Sequence, residues 1–114
     1  QTSGSPTHYL ANASANRDAG TTNINADLLA DLKKLTTFPP VVLTTDFTKD
    51  TILFPQALRD TDNPDIGYHY PPLDYCWSAL KIQHARLTLT NDVAIGVYGD
   101  SSSYAIGLDS GAQL

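Results

Sequence analysis

Glutamate and methionine are absent from this chain of 114 residues, and all twelve acidic side chains are aspartate. The two missing residues are good helix formers, whereas aspartate competes for its own backbone and favours caps and turns. A mainly helical fold is therefore excluded on composition. Cations are also scarce: seven Lys and Arg leave a formal charge of −5, and Lys33-Lys34 is the one adjacent basic pair. Nucleic-acid binding needs clustered cations that neutralise phosphates, so no nucleic acid is expected as a partner. Cysteine is limited to Cys76. It can close no internal disulfide and has no companions at zinc-binding spacing. Between Tyr75 and Trp77 it reads as a small buried hydrophobe. No apolar run approaches the roughly 20 residues of a membrane-spanning helix. Gln1–Thr7 has neither a basic nor an apolar leader region, and no Met opens the chain. The expectation is a processed chain or a segment of a longer one.

What is abundant points to strands and turns. Thirteen Thr suit strands, while eight Ser, seven Gly and seven Pro punctuate them. The hydrophobic share of 41% is low enough that a core requires tight turns or a neighbouring module. Asn25 suits an N-cap, Asp27 lies in the first turn, and Leu28, Leu29, Leu32 and Leu35 recur at helical spacing. Lys33 and Lys34 favour the C-terminal end of the dipole, and Phe38-Pro39-Pro40 stops the helix. These features predict one amphipathic helix over 26–35, whose leucine stripe must dock on something.

Short extended pieces are expected at His8–Ala11, Val41–Thr44 and Thr51–Phe54, with Pro55 ending the last. The final third is more regular. Ala85–Thr90 alternates with period two, and Val93–Tyr98, Tyr104–Leu108 and Ala112–Leu114 follow, separated by turns at Asp92, Asp100 and Asp109. Such spacing indicates a sandwich, barrel or solenoid. Ala94, Gly96, Ala105 and Gly107 suit stacked coils, where backbones approach closely. The fold expected is mainly β, β-helix or solenoid-like, with a β-sandwich as the alternative. One unit is expected over 1–114, loop-rich with its helix over 1–72 and built of regular short strands over 73–114.

The run Asp65-Ile66-Gly67-Tyr68-His69-Tyr70-Pro71, followed by the stretches Leu87–Asp100 and Ile106–Leu114, resembles large secreted repeat proteins of environmental bacteria with right-handed parallel β-helices. The stretch Arg17–Asn23 and the helix with Pro39-Pro40 are similar to inter-strand insertions of such proteins. The resemblance implies an extracellular setting and a β-helical body, and it transfers no catalytic residue. The chain departs from it in length, since a β-helix needs several stacked coils with terminal caps.

Three sets of residues are candidates for function. Asp60, Asp62 and Asp65 could present hard oxygens to calcium, although the sixth-position Gly and twelfth-position Glu of an EF-hand loop are missing and turn duty explains the same residues. Tyr68 and Tyr70 share one face of an extended segment, with His69 on the other, and could stack on a glycan. Ala112, Gln113 and Leu114 form an open strand edge able to template pairing with another chain or with more of the same chain. Asn12-Ala13-Ser14 is a glycosylation sequon. No catalytic set is evident: His8, His69 and His84 are widely spaced, no Ser sits in a G-x-S-x-G turn, and no Asp pair stands out for glycoside chemistry. The expected function is a structural unit of an extracellular or cell-surface assembly or filament, not an enzyme, with calcium the one candidate cofactor. The alternative is a carbohydrate-binding or carbohydrate-processing β-solenoid module with a polysaccharide partner.

Overall fold

A computed structural model describes residues 8–99 and 104–114, mainly as short strands with one short helix. The expected turn at Asp100 and the opening Gln1–Thr7 lie outside the described residues. The chain divides into two units: residues up to Pro40 with Ala57–Pro72, and Val41–Gln56 with Leu73–Leu114. Val41–Gln56 thus belongs with the strand-built unit.

In the first unit, α1 spans Ala26–Leu32. The Asn25 side chain accepts from the N–H groups of Asp27 and Leu28 at 2.9 and 3.2 Å, which satisfies two of the donors a helix start leaves free. The helix is three residues shorter than the 26–35 expected. Lys34 and Leu35 bond back three residues, to Asp31 and Leu32, and Thr36 then leaves to exchange two backbone bonds with Tyr70 at 2.8 and 2.9 Å. The leucine stripe packs only in part: Leu29, Leu32 and Leu35 are half-buried, Leu28 is half exposed, and no residue of α1 is fully buried. His8–Ala11 is not a strand either, although Leu10 N–H donates to the Thr37 carbonyl at 3.0 Å.

Among the described residues the second unit holds seven strands of two or three residues: β1 Val41–Val42, β2 Thr51–Leu53, β3 Tyr75–Trp77, β4 Leu80–Ile82, β5 Leu87–Leu89, β6 Ile95–Val97 and β7 Ile106–Leu108. They form three small sheets, β1-β3-β6, β2-β5 and β4-β7, and every ladder is parallel. Parallel bridges Phe47↔Ile82 and Arg86↔Gln113 extend the two smaller sheets. Between strands the backbone turns through single left-handed residues: Ala79 between β3 and β4, His84 between β4 and β5, Asp92 before β6, and Gly111 before Gln113. Gly111 lies against His84, so two of these corners stack.

Inward side chains from successive passes form one core of Phe47, Leu53, Trp77, Leu80, Ile82, Ala85 and Leu87. Phe47 meets Trp77 edge-on with ring centroids 5.9 Å apart, an arrangement aromatic quadrupoles favour. Cys76 is buried, as expected of a small hydrophobe. Gly96 pairs with it across the ladder, and a Cβ there would come within 3.0 Å of Leu73. The small residue is what lets β6 approach.

Asp74 is fully buried just before β3. Its Oδ1 accepts from Gln56 N–H at 2.7 Å and its Oδ2 from Ala94 N–H at 2.8 Å. One carboxylate thus joins the segments that follow β2 and precede β6. Asp74→Ala orphans both donors, at about 1–3 kcal/mol each, and Asp74→Asn, which keeps one acceptor, falls between it and the parent. Urea denaturation measures this order. A loss under about 0.5 kcal/mol for Asp74→Ala, the size of a surface change, contradicts it.

Candidate functional site

The most elaborated constellation lies in the first unit, around the loop Asp60–Tyr70. Its floor is a buried charge network. Asp65 accepts from Asp18 N–H at 2.8 Å, from the Arg17 guanidinium at 3.0 Å, and from the Thr37 hydroxyl. Arg17 also donates to the carbonyls of Leu10 and Ala11 and to the Thr37 hydroxyl, and lies 3.5 Å over the Phe38 ring. The planar fork of Arg, with its five donors, suits such a hub where a Lys would not. Asp60 accepts from Asp65 N–H at 2.8 Å and contacts His69 Nε2 at 2.5 Å. His69 Nδ1 faces the Gly67 carbonyl at 3.1 Å. Which of the two ring nitrogens donates depends on the tautomer.

This network fixes the aromatic side of the loop. With His69 turned to Asp60 and the Tyr70 backbone paired to Thr36, Tyr68 and Tyr70 bring their rings together, centroids 4.6 Å apart. Tyr9 also meets Tyr70, at 4.7 Å. Ring contacts thus link three tyrosines, the tyrosine row Tyr9-Tyr70-Tyr68, and Tyr68 remains 66% exposed. They border a groove of about 630 Å³ to which His8, Asn16 and Ile66 also contribute. Gly67 is needed close by, since a Cβ there would press on the Leu10 side chain at 3.2 Å. Tyr68 and Tyr70 are legible as a pair from their spacing. Tyr9 and Asn16 are distant in sequence, and their only signal is the apolar patch around Tyr9.

The three aspartates considered for calcium are differently placed. Asp60 and Asp65 are buried and direct carboxylate oxygens at protein donors, while Asp62 is exposed beside Asp18. Among the described residues no three His, Cys or Asp side chains are grouped to hold a metal ion. Of the edge residues, Gln113 pairs with Arg86, Ala112 packs on the core of the second unit, and Leu114 is exposed.

Asp18 sits in the left-handed region at φ 54°. Its carboxyl is held above its ordinary value, first by loss of hydration, then by the charge of Asp62 and a hydrogen bond shared with it, then by the charges of Asp65 and Asp60. The folded chain therefore binds this proton more tightly than the unfolded chain. Its contribution to stability is complete at low pH and is lost as pH rises through the raised value. Asn is neutral and tolerates the left-handed region, so Asp18→Asn is expected to melt above the parent at pH 7 and to lose that advantage near about pH 3. Melting curves at the two pH values check this; a lower melting temperature at pH 7 contradicts it.

No known protein family, no curated protein and no solved structure matches the chain.

Proposed function

We propose that the chain is a structural building unit of an extracellular or cell-surface assembly, in which the second unit stacks as coils of a parallel β-solenoid and self-associates through exposed strand edges. The order of pairing supports the coil reading. Val41, Tyr75 and Ile95 align across one sheet, Phe47, Ile82 and Leu108 across a second, and Thr51 with Leu87 across the third. Each pass along the chain thus meets the three sheets in the same order. A sandwich would call for antiparallel ladders. The extracellular setting rests on the Asp, Thr and Ser bias and on the sequence resemblance.

The single observation that carries self-association is the edge of β5. Leu87 N–H donates to the Gln113 carbonyl, and Gln113 N–H donates to the Ala85 carbonyl, at 2.9 and 3.0 Å. Successive residues of a strand turn their backbone groups to opposite sides. The Leu87 carbonyl and the Leu89 N–H therefore turn the same way, into a groove of about 390 Å³ along Arg86–Leu89 that Gln113 and Leu114 border. Such an edge templates another strand, from a second copy or from more of the same chain. Leu89, 42% exposed, is the side chain an added strand would cover.

Sedimentation velocity across a concentration series tests this reading. The parent is expected to grow in mass with concentration. Leu89→Lys, which places an edge-blocking charge on the groove, is expected to weaken that growth by about tenfold or more with an unchanged melting temperature. A parent that stays monomeric up to about 1 mM, or a Leu89→Lys variant that associates as well as the parent, overturns it.

A further inference from the structure

The geometry points to a neutral-saccharide subsite on the tyrosine row Tyr9-Tyr70-Tyr68 of the first unit, a binding activity beyond the assembly role and independent of it. The groove of about 630 Å³ lies within the range of small-ligand sites, which are lined by aromatic and apolar side chains with a few polar groups. A pyranose has the matching chemistry, with a C–H face and a hydroxyl rim. The tyrosine rings and Ile66 meet the face. The Asn16 amide and the phenol hydroxyls of Tyr68 and Tyr70 can exchange hydrogen bonds with the rim.

Two further observations narrow the ligand. Among the described residues no Asp, Lys or Arg side chain lines the groove, and Arg17 and Asp65 of the same unit are paired to each other at 3.0 Å. A charged sugar would find no counter-ion, and the net charge of −5 repels uronates, so the saccharide is neutral. The row is also held before any ligand arrives. Tyr70 is held by ring contacts to Tyr9 and to Tyr68 and by both backbone bonds to Thr36, while His69 is tied to Asp60. A preorganised platform loses little side-chain freedom on binding. Tyr68, two-thirds exposed at the end of the row, offers the stacking surface.

Native gels containing hydroxyethyl cellulose, galactomannan or polygalacturonate test the inference on the full chain. At least one neutral polymer is expected to retard the protein, and polygalacturonate is not. Tyr68→Ala is expected to weaken retardation about tenfold and Tyr68→Phe to stay within about threefold of the parent. Matching melting temperatures show that Tyr68→Ala folds, and Tyr9→Ala gives a second, independent loss. The inference is overturned by no retardation in any neutral polymer, by equal retardation of Tyr68→Ala, by preference for polygalacturonate, or by binding of a proline-rich peptide in place of every polysaccharide.

Discussion

Short carboxylates that accept backbone N–H bonds from distant loops are the interaction on which the rest of this structure depends. Strands of two or three residues make few ladder bonds, and each corner between them frees donors that burial would make costly. Aspartate meets them. Asp46 accepts from Lys81 N–H and Asp50 from Arg86 N–H, at 2.9 and 2.8 Å. Asp74 serves two segments at once, and in the other unit Asp60 and Asp65 accept from the backbone of Asp65 and Asp18. The absence of glutamate acquires a physical reason here. One more methylene would push the carboxylate past a donor that lies close to its own backbone, and would add rotamer freedom to be lost on folding.

A second constraint follows from the first. Corners satisfied in this way can be sharp, and single left-handed residues at Ala79, His84, Asp92 and Gly111 make them. Sharp corners bring successive passes of the chain into parallel register, and a shared core around Ile82 and Leu87 becomes possible. Small residues at the contact points then decide how closely the passes approach, as Gly96 does against Leu73 and Cys76.

Features with local causes were legible in the sequence. The helix start at Asn25 was readable because a cap is closed by the next three residues. Its end was not, because the Thr36–Tyr70 bridge that draws the chain out joins distant segments. Alternation and turn spacing located β5, β6 and β7. The strands β3 and β4 escaped notice because the corner at Ser78-Ala79 breaks both the period and the apolar run. At the site, Tyr68 and Tyr70 were visible from their spacing, whereas Tyr9 and Arg17 reach the loop only through the fold. The aspartates at 60, 62 and 65 could not be resolved from sequence, since a carboxylate aimed at a cation and one aimed at a backbone N–H have the same letter.

Amide hydrogen exchange followed by NMR tests the central claim most directly, because it reads each accepted N–H on its own. The amides of Gln56, Lys81, Arg86 and Ala94, which donate to aspartate carboxylates, should be protected to the same degree as the β3 amides that donate within the ladders. Exchange of those four at the rate of an unstructured peptide, with the ladders still protected, would contradict the account.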